Sequence, residues 1–379
     1  MRPRHLVLFF FLFLTVNLLT SFLATKYIPY LGFFPYGELI KQYNVSSFLS
    51  SFANFDGAHY LSIAKSGYYQ YEQAYFPLYS LLIRFFSPLF KNNFLITGLV
   101  ISNLSFFMGL FFCYKFIGKF FKQTELVWFF IFLFLFPTSF FFSAVYTEGL
   151  FFLLIISCLY FLQKKNYLLV FIPAFLASTT RIIGVLLIIP IFFHFYSQKQ
   201  KIKLGLKHLL VFLSPLIGFI TYSIYLFKTT GDPLFFLNSQ PVFGAHRSTN
   251  IILLPQVYYR YLKIFLTAQW NFQYFVSLVE FSFFSFVFIV LIFDFIENCK
   301  LKIENYNRLG LNLFSLAALI LPTLTGTFSS IPRYVLFSFS FFLMLAQIKN
   351  IFIKSFVTIV FFVFHTLLLS LFIQGYFVS

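Results

Sequence analysis

The stretch Leu6–Ala24, LVLFFFLFLTVNLLTSFLA, contains 19 residues and no charged side chain. An α-helix needs about 20 mainly apolar residues to cross the hydrocarbon core of a bilayer. Arg2 and Arg4 come just before this stretch, and such cations mark the cytoplasmic side of a first span. The stretch is long for the apolar core of a cleaved signal peptide. We therefore expect a retained anchor whose N-terminus lies in the cytoplasm.

Ten further apolar runs follow this first stretch. Their approximate bounds are 94–114, 126–142, 149–163, 168–179, 182–196, 209–227, 274–296, 309–322, 334–347 and 351–373. Several runs are short and form pairs interrupted by polar residues, at 126–163, 168–196 and 309–347. Such pairs are typical of broken helices whose ends meet a water-filled cavity. The sequence predicts an all-α polytopic membrane protein with about 11 transmembrane helices, range 8–12, in one integral membrane domain over residues 1–379.

The composition of the chain agrees with this fold class. Of the 379 residues, 60% are hydrophobic and only 10% are charged, whereas soluble domains are nearer 25% charged. Too few polar side chains are present to cover a globule, which excludes a soluble enzyme, a nucleic-acid-binding protein and a disordered protein. Cys113, Cys158 and Cys299 are odd in number and lack metal-ligand spacing, so they predict neither a disulfide framework nor a zinc site.

The net charge of +17 is best interpreted as a record of orientation. Alternating the runs across the membrane places 16 of the 27 Lys and Arg inside and the remaining 11 in much longer outside segments. The densest inside cluster is SQKQKIKLGLK at 197–207. This orientation places the N-terminus inside and the C-terminus outside. No internal repeat is visible, which weakens an inverted-repeat transporter as an alternative.

Two long segments remain outside in this orientation, 25–93 and 228–273. Both mix aromatic, Gly, Pro and polar residues, and neither is long or polar enough for a separate soluble domain. We expect amphipathic helices and loops that lie on the outer membrane face. The pattern FPLYSLLIRFFSPLF at 76–90 favours an interfacial helix.

The ten acidic residues are few enough to be weighed one by one. Those expected to be solvated charges at cytoplasmic span ends or loops are Glu125, Asp294, Glu297 and Glu304. In the first outer segment, Glu38 has no polar cluster around it and Glu72 is interpreted as loop surface. Glu280 falls within an apolar run, where it is either functional or displaced by the assigned boundaries. The acids placed outside or at the outer face are Asp56, Glu72, Glu148 and Asp232.

The stretch Asn54–Tyr60, NFDGAHY, places Asp, His and Tyr within five residues just beyond the first span. These residue types supply a general base and its hydrogen-bond partners. Alternatively, Asp56 caps a short helix that runs through Ile63, and the two roles can coexist. His246 and Arg247 lie in the second outer segment and are too isolated to be assigned.

The chain resembles the PIG-V type of membrane mannosyltransferase, the second mannosyltransferase of GPI-anchor synthesis. The matching stretches, in chain order, are DGAHYLSIAKSGY at 56–68, FPLYSLLIR at 76–84, PTSFFFSAVYTE at 137–148, TRIIG at 180–184 and two weaker ones, GDP at 231–233 and PRY at 332–334. They extend over most of the chain. Phe55, Phe136 and the pair Ile182-Ile183 stand where the family usually has Trp, Asn and Ser-Asn.

This resemblance implies a GT-C glycosyltransferase whose site faces away from the cytoplasm. Its donor would be a polyprenyl-phosphate hexose, with mannose implied by the family, and its acceptor a lipid or glycan. The chain has neither an Asp-x-Asp motif nor a Gly-rich phosphate loop, so we expect no metal, no cofactor and no nucleotide-sugar donor. The resemblance leaves the acceptor and the membrane open: the plasma membrane of a prokaryote or the endoplasmic reticulum of a eukaryote.

The residue roles follow from the same resemblance. Asp56 would accept the proton of the acceptor hydroxyl in a single, inverting displacement. A fixed cation would stabilise the leaving phosphate; the candidates, in order, are Arg181, Arg333 and His59. The residues expected to orient the sugar or acceptor are Tyr146, Glu148, Tyr60 and Asp232.

Alternatives to these assignments remain open at this stage. Either arginine could instead form a structural ion pair with Glu148 or Asp232. The main alternative function is a polytopic transporter or lipid flippase without transferase activity, and a second is a non-catalytic assembly subunit that keeps the fold.

Overall fold

The structure is a computed structural model that describes residues 3–31, 37–119, 121–198, 205–244, 247–300 and 306–378. About 80% of the chain is helical, and the described residues contain no β-strand, so the predicted all-α class is confirmed. The predicted features that lie outside the described residues are Arg2, Lys199, Lys201, Lys203, His246, Lys302 and Glu304.

The α-helices follow one another closely along the chain. In order they are α1 (Pro3–Tyr27), α2 (Gly37–Lys41), α3 (Ser47–Ser50), α4 (Asp56–Ser66), α5 (Pro77–Phe86), α6 (Phe94–Ile117), α7 (Gln123–Leu135), α8 (Glu148–Gln163), α9 (Tyr167–Ser178), α10 (Ile188–Gln198), α11 (Leu206–Thr230), α12 (Phe235–Asn238), α13 (Leu254–Thr267), α14 (Phe272–Lys300), α15 (Tyr306–Ile320), α16 (Ile331–Tyr334), α17 (Phe339–Gln347) and α18 (Ile351–Ile373). They form two compact units, residues 1–160 with 345–378, and residues 161–344. The single domain predicted over 1–379 stays a prediction.

Six of the described helices are long and apolar enough to cross a membrane. They are Arg4–Tyr27, Phe94–Ile117, Leu206–Thr230, Phe272–Cys299, Asn307–Thr325 and Ile351–Ile373. At a rise of about 1.5 Å per residue, helices of this length match the hydrocarbon thickness of about 30 Å. The chain is therefore an integral membrane protein by the character of its helices.

All three predicted pairs of broken runs are interrupted in the structure. In the first pair, α7 ends at Leu135 and α8 begins at Glu148. Residues 136–147 between them are buried throughout. Asn17 Nδ2 donates to Ser143 Oγ over 3.0 Å, and Asn103 Nδ2 donates to the Ser143 carbonyl over 3.1 Å. Protein side chains, rather than the expected water-filled cavity, therefore surround this break, as non-helical backbone at membrane depth requires.

The two predicted outer segments contain short helices with one apolar face exposed. In the first segment, α5 buries Tyr79 and Ile83 while Leu81 and Phe85 are 53% and 75% exposed. The predicted interfacial helix at 76–90 is thus α5 followed by a 3₁₀ turn, Ser87–Phe90. In the second segment, α13 has the same character, with Leu266 86% exposed. Such surfaces suit a position at the membrane interface.

The prediction for Asp294 was wrong. Its side chain is only 1% exposed, because α14 continues beyond it to Lys300 and carries it against α15. Arg308 Nη2 donates to Asp294 Oδ1 over 3.0 Å, and Asn312 Nδ2 donates to Oδ2 over 2.7 Å. Glu280 lies well inside α14, one of the six helices long and apolar enough to span a membrane, so the assigned boundaries did not displace it.

Candidate functional site

Asp56 is the first residue of α4, so the short helix expected at this position is present, but the N-cap residue is Phe55 and no side chain caps the helix. The prediction that Asp56 is the cap was wrong. Phe55 before it has φ 57° and ψ −118°, a backbone conformation that residues other than glycine rarely adopt. The Phe55 ring packs on Phe372 and Phe377, with centroids 5.7 and 5.4 Å away. Backbone strain of this kind costs about 1–3 kcal/mol and clusters at functional sites. The carboxylate of Asp56 also lies where the helix dipole favours negative charge.

Tyr75 holds the Asp56 side chain. Its hydroxyl donates to Asp56 Oδ1 over 3.2 Å, and its ring stacks on His59 with centroids 5.0 Å apart. Burial and then the nearby charge of Asp56 raise the pKa of the Tyr75 hydroxyl well above its ordinary value. Tyr75 therefore remains a neutral hydrogen-bond donor to the carboxylate. It precedes the 76–84 motif by one residue, and no sequence signal marked it.

Glu72 is the partner of His59. Glu72 Oε1 lies 3.1 Å from His59 Nδ1, and Oε2 accepts from the backbone N–H of Tyr69 over 3.0 Å. Glu72 is only 6% exposed, so its interpretation as loop surface was wrong. A carboxylate in this position fixes Nδ1 of the imidazole as the donor and sets the ring orientation. Asp56, His59, Glu72 and Tyr75 thus form one contiguous polar cluster.

Tyr60 and Tyr146 lie beside this cluster as framework. Tyr60 is 7% exposed and contacts Tyr75 and Tyr146 edge-to-face, at centroid distances of 5.2 and 6.3 Å. The Tyr146 hydroxyl donates to the Asn54 carbonyl over 2.8 Å, and Asn54 Nδ2 donates to the Phe372 carbonyl over 2.9 Å. These bonds fix the turn that precedes Asp56. They give Tyr146 a positioning role, whereas the sequence suggested a sugar contact.

Glu148 begins α8 and is fully buried. A negative charge is favourable at a helix N-terminus. A Cβ on the next residue, Gly149, would overlap the carbonyl oxygens of Ser102 and Phe142, so only glycine permits this close approach of α8 and α6. The structure therefore places Glu148 inside the helix packing.

The motif residues after α4 connect α4 to α5. Arg84 Nε donates to the Ala64 carbonyl over 2.6 Å, and Nη2 donates to the Ile63 carbonyl over 3.0 Å. The bond to the Ala64 carbonyl satisfies an acceptor in the last turn of α4, and the Ile63 carbonyl also accepts from the backbone N–H of Gly67. Gly67 follows with φ +90°, a conformation that favours glycine. The pattern that carries the resemblance therefore also builds the hairpin that positions Asp56 and Tyr75.

The second unit contains Arg181 and Arg333. The Arg181 guanidinium lies 4.6 Å from the ring centroid of Tyr334 and 5.5 Å from that of Phe337. Arg333 precedes Tyr334 in α16 and is 7% exposed. The fold of this unit thus brings Arg181 against the turn that carries Arg333. A Cβ on Gly184 would overlap the backbone of Ala177 and Ser178, which explains the glycine of this motif.

Asp232 forms hydrogen bonds within its own loop. Its Oδ1 accepts from the backbone N–H of Leu234 over 2.8 Å, and its Oδ2 accepts from Asn238 Nδ2 over 2.6 Å. This arrangement is that of an Asx turn leading into α12. The structure therefore provides a local structural role for Asp232, whereas the sequence suggested a substrate contact.

Glu280 anchors the loop before α16. Glu280 Oε2 accepts from the Tyr261 hydroxyl over 2.7 Å, and the same hydroxyl accepts from the backbone N–H of Phe328 over 3.0 Å. Arg247 Nη2 donates to Ser330 Oγ over 3.3 Å. Residues of α13, α14 and the second outer segment therefore fix the loop 326–330 that leads to Arg333. The only sequence signal was an acid within an apolar run.

The described ranges contain no group of three or more His, Cys, Asp or Glu side chains that could hold a metal. The expectation that the protein needs no metal or cofactor stays a prediction. No protein-family model matches the chain, and no curated protein matches it. The resemblance to the PIG-V type therefore depends on the motifs themselves.

Proposed function

We propose that the protein is a GT-C-type glycosyltransferase. It moves a hexose, which the motifs suggest is mannose, from a polyprenyl-phosphate donor to a lipid or glycan acceptor on the non-cytoplasmic face. The observation that supports this proposal most is the half-buried Asp56 carboxylate, held at the start of α4 by Tyr75 beside the His59–Glu72 pair. A carboxylate oriented by a neutral donor at a strained turn suits a general base.

In the proposed reaction, Asp56 accepts the proton of the acceptor hydroxyl as its oxygen forms a bond to the anomeric carbon. The bond from that carbon to the phosphate oxygen breaks, and the polyprenyl phosphate leaves with the electron pair. The single displacement inverts the anomeric carbon. Tyr75 keeps the Asp56 carboxylate in one orientation, which reduces the entropy lost on reaching the reactive geometry.

Arg181 and Arg333 are the proposed ligands of the donor phosphate. An arginine fork matches phosphate oxygens bidentately, and the stacking of Arg181 on Tyr334 limits its rotamers. His59 is a further candidate, with its Nδ1 bound to Glu72. Tyr60, Tyr146 and Asp232 have contacts that favour framework roles over direct sugar binding. Glu148 is fully buried at the start of α8 and remains a candidate for sugar or acceptor binding.

The complete set of about 11 membrane-embedded helices is also proposed. The six long helices would be joined by the shorter apolar helices α7, α8, α9, α10 and α17. With 13 residues, α7 is only about 20 Å long, which is short of the hydrocarbon thickness of about 30 Å. The short helices would thus enter the membrane as the broken pairs that the sequence indicates.

The decisive experiment measures transfer of labelled sugar from polyprenyl-phosphate-mannose in membranes that contain the protein. Asp56→Asn should lower transfer by about 10²–10⁴-fold, the usual contribution of a general base, while the protein still inserts and folds. Glu38→Gln is the matched control, because Glu38 lies in the same outer segment and its exposed side chain pairs only locally with Lys41.

Near-normal turnover of Asp56→Asn would remove Asp56 from catalysis. If the unsubstituted protein transfers no sugar from polyprenyl-phosphate-mannose or polyprenyl-phosphate-glucose, the proposed function fails. Movement of labelled lipid between leaflets under those conditions would then support the transporter or flippase alternative.

A further inference from the structure

A second polar cluster lies at one end of α9, α10 and α11 in the unit 161–344. Tyr167 begins α9, His194 lies near the end of α10, and His208 lies in the first turn of α11. The Tyr167 ring centroid is 4.9 Å from that of His208 and 6.3 Å from that of His194. His194 and His208 are 4% and 3% exposed. None of these residues belongs to the candidate site described above.

Three polar atoms of this cluster are buried without a hydrogen-bond partner in the described part of the chain: Tyr167 Oη, His194 Nε2 and His208 Nε2. A buried polar atom left unsatisfied is destabilising, so three together call for hydrogen-bond partners from outside the described part of the chain. The backbone N–H of Gly205 donates to His208 Nδ1 over 3.0 Å. The neutral His208 ring therefore carries its proton on Nε2, and with Tyr167 it offers two donors.

The surroundings of the cluster are cationic. The turn between α8 and α9, next to Tyr167, contains Lys164 and Lys165. Lys165 Nζ donates over 3.0 Å to Oε1 of Gln198, which ends α10 four residues after His194. Lys207 is adjacent to His208 in sequence and exposed. Buried donors and nearby cations together favour a ligand that is anionic and rich in acceptor oxygens.

The position of the cluster indicates where such a ligand comes from. α11 is one of the six apolar helices, and it begins at Leu206. Leu206 and Leu209 are 72% and 52% exposed, and Leu168 on α9 is 79% exposed. Apolar side chains that face outward next to lysines mark the boundary of the bilayer, where lipid phosphates lie. The cation count predicts that this boundary is the cytoplasmic one.

We propose that Tyr167, His194 and His208, with Lys165 and Lys207, bind the phosphate of an anionic lipid head group. Basic pockets between transmembrane helices at the cytoplasmic side take head groups of this kind. The N-termini of α9 and α11 both lie in the cluster and add backbone dipoles that favour an anion. The bound lipid would lie between helices of the second unit. This proposal does not depend on transferase activity.

The test measures thermal unfolding of the full-length protein in detergent, with three probes added separately. They are short-chain phosphatidylglycerol, phosphatidylcholine with the same chains, and inorganic phosphate. Phosphatidylglycerol should raise the unfolding midpoint saturably, and more than phosphatidylcholine does. Tyr167→Phe, which removes one oxygen, and His208→Phe should each weaken the apparent affinity about five- to tenfold, as expected for one lost hydrogen bond. Tyr225→Phe, near the other end of α11, is the matched control and should bind normally.

The outcomes are distinct. Equal lipid effects on Tyr167→Phe, His208→Phe and the unsubstituted protein would overturn the assignment of the lipid to this cluster. If inorganic phosphate has a saturable effect equal to that of phosphatidylglycerol, the cluster binds free phosphate and the proposal of a lipid head group is wrong. No effect of any probe would mean that water satisfies the three atoms, and it would overturn the proposal. If His208→Phe does not fold, Tyr167→Phe alone decides.

Discussion

Asp56 and His59 are one helical turn apart on α4, and residues of the following loop bind both. Tyr75 donates to Asp56, Glu72 contacts His59, and the Tyr75 ring stacks on His59. Residues three positions apart on a helix lie on the same face, so a single loop can reach both side chains. The two acids of this cluster therefore have different partners, a neutral hydroxyl for Asp56 and an imidazole for Glu72.

At Arg181 we expect the guanidinium itself to matter, and not only its charge. It stacks on Tyr334 and Phe337, and a lysine ammonium offers neither a planar face nor a bidentate fork. Arg181→Lys should raise the donor KM substantially, by about tenfold, as for a lost charge-assisted hydrogen bond, and Arg181→Ala should raise it more. Transfer kinetics measured beside the thermal unfolding of each variant test this prediction.

Arg308→Lys is the control for Arg181, because Arg308 belongs to the buried pair with Asp294. It should lower the unfolding temperature and leave the donor KM unchanged. Normal donor kinetics in a folded Arg181→Ala protein would contradict the prediction and leave Arg333 as the phosphate ligand.

At the scale of elements, α13 and α14 together determine the path of the loop 326–330. The Tyr261 hydroxyl donates to Glu280 and accepts from the Phe328 N–H, and it lies 3.1 Å from Thr327 Oγ1. Burial and then the charge of Glu280 raise the pKa of Tyr261 above its ordinary value, so the hydroxyl remains a donor. One phenol oxygen thus connects an acid on α14 to the backbone that leads into α16.

Tyr261→Phe should therefore loosen this loop. The substitution removes a hydrogen bond to a buried carboxylate and leaves that carboxylate less satisfied, which costs about 1.5–3 kcal/mol. We expect faster amide hydrogen exchange at Phe328 and a lower unfolding temperature. Mass spectrometry of peptides that cover 326–334 measures the exchange.

Tyr258→Phe is the matched control for this element. Tyr258 lies one turn away on α13 and contacts Ser285 Oγ of α14 over 3.1 Å. The loss of this neutral hydroxyl pair should cost only about 1 kcal/mol and leave exchange at 326–334 unchanged. Equal exchange in the two variants would show that Tyr261 does not hold the loop.

For the molecule as a whole, labelling of single cysteines tests the orientation in the membrane. The cation count predicts that α4 faces outside and the turn at 164–166 faces inside. Ser66 and Lys164 are exposed, so either position can carry a single reporter cysteine. Cys299 is exposed while Cys113 and Cys158 are buried, so Cys299→Ser provides the background. An impermeant maleimide added to intact cells should label Ser66→Cys. It should label Lys164→Cys only after the membrane is permeabilised.

The reverse labelling pattern would invert the predicted orientation. It would then place Asp56 on the cytoplasmic side, where the proposed lipid-linked donor chemistry would not be expected. Labelling of both positions on intact cells would instead show that one of the helices between them does not cross the membrane.

Hydropathy along the chain was enough to predict that the protein belongs in a membrane and where its helices are interrupted. Both properties are local. The free energy of membrane insertion is a sum over about 20 adjacent residues, and an interruption of a helix follows from the polar residues at that point of the chain. The preference of Asp for helix starts likewise indicated a short helix from Asp56 through Ile63 as one alternative. The resemblance to a glycosyltransferase family added a function that remains proposed.

Which side chains contact one another became visible in the folded chain alone. Tyr75 reaches Asp56 across 19 positions, Tyr146 reaches Asn54 across 92, and Asp294 is buried where a solvated charge was expected. Such contacts depend on how loops turn and how helices pack, and no periodicity in the sequence encodes either. A hydrogen bond requires its two atoms to come within about 3 Å, and over these separations only the packed chain brings them that close.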